Sequence, residues 1–200
     1  MRDITVITGN IGSGKSEVSK ILREAGKIVV DADTIAKEWI NNNLLLIQAV
    51  TKVSVTNQNG TLDKSQFAEL MLQDSEFRKK LVSIVHPAVY LAIYDYYKFF
   101  KPVHPDGIFA EIPLFFESID IARKYHDFKD VFIVDADLRI REHRCMKNRG
   151  YSSMEFERRN NLQMTTQQKR SIMPNANIID NSASRNRLYK TVIRQVLGIF

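Results

Sequence analysis

The sequence predicts an α/β fold built around a parallel sheet of five strands. Short apolar runs alternate with longer amphipathic segments along the 200 residues, which is the pattern of successive β-α-β units. A glycine-rich turn joins the first apolar run to the first amphipathic segment, the place where parallel α/β proteins bind ligands. The chain length fits a single domain, 1–200, that contains inserted segments.

The predicted strands are five apolar runs bounded by turn-forming or charged residues: 4–8, 28–30, 108–112, 131–134 and 177–179. The first helix should end at Gly26, with four apolar side chains on its inward face, Val18, Ile21, Leu22 and Ala25. The last helix should follow Ser184 and place three apolar side chains inward, Leu188, Val192 and Val196.

Two segments interrupt this pattern and are predicted to be helical insertions in a core formed by 1–57, 106–138 and 171–200. In the first, 58–105, the turn signal at 58–60 precedes a helix with its apolar side chains broadly on one side, Phe67, Leu70, Met71, Phe77 and Leu81. Pro87 should end that helix, and an aromatic-rich helix should cover 88–100. The second segment, 139–170, should belong to helices over 137–149 and 152–168, with Ser152 and Glu155 at the spacing of a capping box.

Composition and charge narrow the class of protein. Hydrophobic residues make up 44% and charged residues 26%, an ordinary globular composition. The single cysteine, Cys145, excludes a disulfide framework and a cysteine-based zinc site. No secretory signal or membrane-spanning run is evident, so we expect a cytoplasmic protein. The net charge of +6 favours an anionic partner, and the basic residues concentrate in 139–170, where a solvated helical face is the simpler interpretation.

The strongest motif is the glycine-rich turn itself, which matches the phosphate-loop pattern G-x-x-x-x-G-K-[ST] and lies between a predicted strand and a predicted helix. Its residues are Gly9, Asn10, Ile11, Gly12, Ser13, Gly14, Lys15 and Ser16. In such a loop the backbone N–H groups and the helix dipole bind phosphate oxygens. Lys15 would reach the β- and γ-phosphates, and the Ser16 hydroxyl would coordinate Mg²⁺. The expected ligand is therefore a nucleoside triphosphate with Mg²⁺.

Four classes of phosphate-loop protein compete: a small-molecule kinase, a GTPase switch, a motor-type or AAA-type ATPase, and a nucleic-acid enzyme. The chain is short for the larger ATPases, and it has no N-K-x-D motif for guanine recognition. A small kinase needs a base near the acceptor hydroxyl and cations over the phosphates. Asp31 and Asp33, just past the second strand, supply carboxylates, of which one is expected to cap the next helix. The basic segment 139–170 supplies the cations and would form a lid.

Motifs along nearly the whole chain resemble the dephospho-CoA kinase family. They are I-T-G-N-I-G-S-G-K-S at the phosphate loop, V-V-D-A-D at 29–33, T-L-D-K at 61–64, His86-Pro87, E-I-P-L-F-F-E at 111–117, I-V-D-A at 133–136, Gln163, Lys169, and I-I-D-N-S at 178–182. The phosphate loop alone is generic, whereas the combination in this order is specific.

The resemblance implies a three-layer P-loop kinase that uses ATP to phosphorylate the ribose 3′-hydroxyl of dephospho-CoA. It implies a substrate side near 58–105, a basic lid at 139–170, and Asp33 as the base. Lys15 and Arg144 would act on the phosphates as further catalytic residues. Nucleotide binding would include Glu17, Arg149 and, near the adenine, Asn181. The acceptor would meet Lys64, His86, Glu111, Pro113 and Leu114, although a structural role suits His86 equally well.

Several residues depart from the usual family pattern. Asn10 replaces a common glycine, which we attribute to its tolerance of left-handed backbone. Glu17 replaces threonine, Glu111 replaces aspartate, and Lys64 replaces arginine. Arg141 stands at a position that is usually Gln, and Asn148 at one that is usually Arg. The resemblance therefore suggests the neighbouring Arg149 as the second lid arginine.

Two other functions stay open at this point. One is a different P-loop nucleoside or nucleotide kinase. The other is a nucleotide-binding regulatory protein, or a nucleic-acid binder that uses the basic segment, although no RNP or helix-turn-helix motif supports nucleic-acid binding. We therefore expect a small-molecule substrate, with neither a nucleic-acid nor a membrane partner, and make no prediction of oligomeric state.

Overall fold

The computed structural model describes residues 3–199. Its strands are β1 (Ile4–Gly9), β2 (Val29–Asp31), β3 (Ile108–Glu111), β4 (Val131–Asp135) and β5 (Asn177–Asp180). Its α-helices are α1 (Lys15–Glu24), α2 (Ala32–Asn42), α3 (Leu44–Thr51), α4 (Lys64–Gln73), α5 (Ser75–Phe100), α6 (Ile119–Tyr125), α7 (Leu138–Arg149), α8 (Ser153–Asn161), α9 (Thr166–Ile172) and α10 (Arg185–Gln195). None of these helices is long and apolar enough to span a membrane.

The five strands form one parallel sheet in the order β2-β3-β1-β4-β5, which confirms the predicted α/β fold class. The central strand β1 is buried along its whole length, as expected for a parallel sheet that is covered on both faces. In this order β1 lies between β3 and β4, so the chain adds strands on one side of β1 first and on its other side afterwards. Ligands of open α/β sheets bind in the resulting crevice at the carboxyl ends of the strands.

The chain divides into two compact units. One unit is formed by the chain up to Asp31 together with the chain from Tyr96 onward, and it contains the whole sheet. Ala32–Asp95 forms the other, which is helical apart from an isolated antiparallel bridge between Thr56 and Leu62. The division between the units falls inside α5.

The core of the sheet-containing unit lies where α1 and α10 pack on β1, β4 and β5. Its fully buried members include Ile7, Val18, Ile21, Leu22, Leu188 and Val192, and Val196 packs against them while partly buried. Most of the predicted inward residues of the first and last helices are therefore confirmed. Ala25 is the exception, because α1 ends at Glu24 and leaves Ala25 exposed as its C-cap, just before Gly26 with φ +75°.

The predicted end of a helix at Pro87 is wrong, because α5 continues through this proline. Leu81, Val85, Val89 and Ile93 recur at helical spacing on both sides of it, and all are buried. Burial of this stripe outweighs the cost of about 3 kcal/mol that a proline imposes inside a helix. The helix boundary lies instead at Asp74, whose carboxylate accepts a hydrogen bond from the N–H of Phe77 at 2.9 Å and begins α5.

The single helix predicted over 152–168 is also wrong, since α8 ends at Asn161 and α9 starts at Thr166. Ser152 caps α8 as expected, but the carboxylate of Glu155 accepts from Arg159 and does not complete a capping box. The complete capping box is formed by Thr165 and Gln168 at the start of α9.

Candidate active site

The phosphate loop connects the buried end of β1 to the first turn of α1, as the sequence predicts. Gly12 and Gly14 have φ of +76° and +94°, a region that residues with a Cβ rarely adopt. A Cβ at Gly12 would overlap the backbone oxygen of Arg141, and one at Gly14 would overlap the side-chain amide of Asn181. Glycine is thus required here both by the turn and by the close approach of the neighbouring segments.

Lys15 and Ser16, the last two residues of the motif, begin α1. Lys15 Nζ donates to the carbonyl oxygens of Gly9 at 2.9 Å and Asn10 at 3.3 Å, which keeps the ammonium group over the loop. Ser16 is exposed, and its hydroxyl donates to Glu111 Oε1 at 3.2 Å. A cation, a hydroxyl and a carboxylate are therefore gathered beside the backbone N–H groups at the N-terminus of a helix.

Glu111 is positioned by the sheet. It is the last residue of β3, and it lies level with Ile7 of β1 on one side and Asp31 of β2 on the other. The side chain is only 5% exposed, and its second oxygen accepts from the Ser19 hydroxyl at 2.6 Å. Both carboxylate oxygens are thus held by hydroxyls of α1, so the carboxylate faces Ser16 and the phosphate side.

The oxygen donors at this point fit Mg²⁺. Hydroxyl and carboxylate oxygens are the ligands it prefers, and it commonly takes only one or two protein groups and completes its shell with phosphate and water oxygens. Ser16 and Glu111 supply such a pair. No group of three or more His, Cys, Asp or Glu side chains that could hold a metal by themselves occurs among residues 3–199.

Arg144 and Asn181 close the other side of the loop. Arg144 donates to the carbonyl oxygen of Asn181 at 2.9 Å and, over longer distances of 3.5 and 3.4 Å, to those of Gly12 and Ser13. Asn181 is buried, and its amide Nδ2 donates to Ser13 O at 2.8 Å. The structure therefore brings these two predicted residues together against the loop.

Arg141 is the second arginine of α7 that reaches the loop. It is 9% exposed and donates to Ala136 O at 3.1 Å, to Asn160 Oδ1 at 2.8 Å and to Ile11 O at 3.5 Å. Burial lowers the pKa of its guanidinium, and the nearby Asp135 partly offsets this effect. The segment 139–170 is thus more than a solvated face, because part of its positive charge is buried beside the phosphate loop.

Two other predicted nucleotide residues lie apart from these contacts. Arg149 is the exposed last residue of α7. Glu17 forms an ion pair with Arg185, whose Nε lies 2.5 Å from Glu17 Oε1, so its carboxylate is directed toward the start of α10. A role for either residue in nucleotide binding stays a prediction.

Sequence reasoning missed a group of contacts behind Asn10 and Ile11. The Ile11 N–H donates to Gln163 Oε1 at 2.7 Å, and the Asn10 amide binds both Lys169 Nζ and, at 3.1 Å, Met164 O. Asn10 does not use the left-handed backbone that we expected, since Lys52 is the one non-glycine residue with positive φ in the described chain. Gln163 and Lys169 appear in the resemblance, but no local pattern indicates that they contact the loop.

The predicted acceptor residues are distributed over both units. Pro113 and Leu114 follow β3, and the Pro113 carbonyl oxygen accepts from the Thr8 hydroxyl at 3.3 Å. Asp33, in the first turn of α2, and Lys64, the first residue of α4, are exposed. His86 lies within α5, where burial lowers its pKa and leaves its Nδ1 without a hydrogen-bond partner.

The fold and the site together define a P-loop kinase: a 2-3-1-4-5 parallel sheet, a phosphate loop after the central strand, and arginines from a helix beyond β4. The dephospho-CoA kinase family model matches residues 4–186. The chain therefore belongs to the dephospho-CoA kinase family, which confirms the resemblance and the prediction that the protein is a kinase.

Individual relatives are similar to the chain over nearly its whole length. A dephospho-CoA kinase of Aquifex aeolicus is 32% identical over 190 residues, which cover 93% of this chain and 92% of that protein. Among solved structures, a protein of Thermus thermophilus has 30% sequence identity and a TM-score of 0.81, with 98% of this chain and 97% of that one covered. Dephospho-CoA kinase from Campylobacter jejuni, at 18% identity and a TM-score of 0.64 over 98% of this chain and 97% of its own, shares the fold.

Proposed function

We propose that this protein transfers the γ-phosphoryl group of ATP to the ribose 3′-hydroxyl of dephospho-CoA and releases CoA and ADP. The observation that carries the proposal is the contact between Ser16 and Glu111, 3.2 Å apart, directly beside Lys15 at the N-terminus of α1. This contact supports the proposal because a hydroxyl and a carboxylate at this point would bind Mg²⁺ beside the β- and γ-phosphates. Family membership supplies the identity of the acceptor.

On the nucleotide side, the chain provides positive charge and backbone N–H groups. The loop N–H groups and the helix dipole of α1 would bind the β- and γ-phosphates, and Lys15 would neutralise charge that develops on the transferring group. Arg144 would add a second cation, because its guanidinium already lies against Gly12 and Ser13. Asn181 and Arg149 would contact the nucleotide beyond the phosphates.

On the metal side, Ser16 and Glu111 would hold Mg²⁺ together with phosphate and water oxygens. When bound, the ion neutralises phosphate charge and aligns the γ-phosphoryl group for in-line transfer. The Ser19 hydroxyl fixes the rotamer of the Glu111 carboxylate by binding its second oxygen. With this contact a glutamate would serve where the family more often has the shorter aspartate.

On the acceptor side, Asp33 would accept the proton of the 3′-hydroxyl as its oxygen forms the new bond to the γ-phosphorus. The bond between the γ-phosphorus and the β-γ bridging oxygen breaks, and the electron pair leaves with ADP. Lys64, His86, Pro113 and Leu114 would bind the rest of the acceptor, whereas Glu111, which the resemblance placed with them, is assigned here to the metal side. A histidine whose pKa is lowered by burial is neutral at pH 7, so His86 would act as a hydrogen-bonding group rather than as a cation.

The test is a coupled ADP-release assay with Mg-ATP and dephospho-CoA, run beside adenosine, AMP and cytidine monophosphate. We expect turnover with dephospho-CoA alone, a mass gain of one phosphate in the product, and loss of turnover in EDTA. Lys15→Ala should lower the rate by roughly 10²- to 10³-fold, the usual cost of one lost electrostatic contact to the transition state.

The other outcomes separate the alternatives. Turnover with a different acceptor would make the protein another P-loop nucleoside or nucleotide kinase. ATP binding without turnover on any acceptor would indicate a regulatory protein. We further propose a cytoplasmic location and the absence of nucleic-acid and membrane partners, which binding assays at low salt would test directly.

A further inference from the structure

Lys169 is the one lysine of the described chain that is completely buried, with 0% of its surface exposed. It lies in α9, whose other basic residue, Arg170, is exposed. Burying an ammonium group is costly unless it is paired and hydrogen-bonded. Burial lowers the pKa of Lys169, and the nearby carboxylates of Glu117 and Asp135 oppose this shift.

The hydrogen bond of this ammonium group goes to the phosphate loop. Lys169 Nζ donates to the side-chain oxygen of Asn10, while Asn10 Nδ2 donates to the carbonyl oxygen of Met164 at 3.1 Å. An ammonium group has donors only, so the amide oxygen must face Lys169 and the amide nitrogen must face Met164. The Asn10 side chain, which is 5% exposed, is therefore fixed in one orientation.

The same asparagine holds the phosphate-binding lysine. Its backbone oxygen accepts from Lys15 Nζ at 3.3 Å, next to the bond at 2.9 Å from Lys15 to Gly9. Asn10 therefore binds both lysines: its side-chain oxygen accepts from the buried Lys169, and its backbone oxygen accepts from Lys15. The family pattern that the sequence resembles commonly has a glycine at position 10, which has no side chain to form this connection.

The segment that carries Lys169 is itself firmly held. The N–H of Met164 donates to Glu117 Oε1 at 2.8 Å, and Gln163 Oε1 accepts the Ile11 N–H at 2.7 Å. The capping box of Thr165 and Gln168 fixes the first turn of α9. Apart from the bond that Asn10 makes to Met164, the position of Lys169 is therefore set by contacts that do not involve Asn10.

We propose that Lys169 is a positioning residue of the kinase, which orients the first half of the phosphate loop through the side-chain amide of Asn10. The oriented loop presents the carbonyl oxygens of Gly9 and Asn10 that hold Lys15 in place. Lys169 then contributes to ATP binding without contacting ATP. The proposal rests on the proposed function only in that the loop binds ATP, and it holds for any acceptor.

Two other roles of Lys169 would not involve Asn10. Lys169 would act as a plain structural residue if its removal affected only folding, or as a distant positive charge if it attracted phosphates through space. Both are separated from the proposal by combining substitutions at positions 169 and 10, because a pair that acts through one contact is non-additive.

The experiment compares Lys169→Met, Asn10→Gly and the double variant with Arg170→Met, which removes the same charge from the exposed neighbour on α9. ATP affinity is measured by calorimetry, and kcat and the KM for each substrate by ADP release. We expect Lys169→Met to weaken ATP binding by about tenfold or more, the factor that one lost hydrogen bond to a charged group represents, with the KM for dephospho-CoA unchanged within about twofold. Arg170→Met, which alters an exposed side chain, should weaken ATP binding much less than Lys169→Met.

The decisive result is the effect of Lys169→Met in the Asn10→Gly background, where we expect a further loss of less than about twofold. A full additional loss there would overturn the proposal, and so would unchanged ATP affinity in Lys169→Met.

If the methionine variant does not fold, Lys169→Gln keeps a donor for Asn10, and amide hydrogen exchange across 9–16 gives a second measurement. Exchange in Asn10→Gly no faster than in the wild type would also overturn it, whereas wild-type protein that binds no ATP would contradict the proposed function instead.

Discussion

The proposed chemistry depends, at the scale of single residues, on carboxylates at the ends of two neighbouring strands. Glu111 ends β3 level with Asp31, the last residue of β2, and Asp33 follows two residues later in the first turn of α2. Glu111 has both oxygens bound by hydroxyls of α1 and suits a fixed metal-side role. Asp33 is exposed, and its role as the base is part of the proposal.

Asp33→Asn should separate the proton acceptor from nucleotide binding. An amide cannot take the proton of the 3′-hydroxyl, so kcat should fall by roughly 10²- to 10⁴-fold, the usual contribution of a general base. ATP affinity measured by calorimetry should stay within about twofold, because Asp33 has no assigned contact to the phosphates. Glu38→Gln, an exposed acid on the same helix, is the matched control. Full activity of Asp33→Asn would assign the base elsewhere.

Glu111→Gln should change the dependence on Mg²⁺. A neutral amide retains hydrogen-bonding capacity toward Ser16 and Ser19 but removes the negative charge that attracts the ion. We expect the Mg²⁺ concentration for half-maximal ADP release to rise by about tenfold, equivalent to about 1.4 kcal/mol. Ser19→Ala, which removes the hydroxyl on the other carboxylate oxygen, should shift this midpoint less. An identical Mg²⁺ titration in Glu111→Gln and the wild type would show that Glu111 does not serve the metal.

The phosphate loop could be predicted from the sequence because its geometry is local: glycine positions, the lysine and the serine lie within eight consecutive residues. The contact between Asn10 and Lys169 could not, since it joins residues 159 positions apart. A lysine in a basic segment normally faces water, and only the packing of α9 shows that this one is buried. The expectation that Asn10 adopts a left-handed backbone was wrong for the same reason. Asn10 contributes a side-chain contact to a distant residue, which the local sequence does not show.

Among the elements, α5 shows how packing overrides a local signal. Pro87 lacks an N–H group and predicts a helix end, yet a buried stripe of apolar side chains continues past it. The stripe is visible in the sequence, but its strength depends on partners that are distant in the chain. The break between α8 and α9 has a local cause, since α8 ends at Asn161 and Thr165 caps the start of α9.

Pro87→Ala should stabilise α5. Alanine restores a backbone donor and removes the ring clash, which together cost about 3 kcal/mol, while greater freedom of the unfolded chain offsets about 1 kcal/mol. We expect the free energy of unfolding in urea to rise by about 1–2 kcal/mol. Pro102→Ala, just beyond the end of α5, should instead be neutral or slightly destabilising. A loss of stability in Pro87→Ala would mean that the native backbone at 87 is adapted to proline.

At the scale of the whole molecule, each compact unit contains a histidine that resists protonation. Burial lowers the pKa of His86 and of His126 below the ordinary value of 6.5, with Asp127 partly opposing the shift at His126. The unfolded chain therefore binds more protons than the folded chain once the pH falls below about 6.5. Folding is favoured above that value, and stability is lost as the pH falls from there through the folded-state pKa of each histidine.

Urea unfolding between pH 8 and 5 should show this loss, beginning near pH 6.5. His86→Gln and His126→Gln should each flatten part of the decline, because glutamine has no proton to gain, and the double variant should flatten most of it. The sign is opposite for a histidine that gains a partner on folding, whose substitution would make the curve steeper at low pH. Variants that follow the wild-type curve would show that neither histidine is the acid-sensitive group, and unequal flattening would identify which unit limits stability in acid.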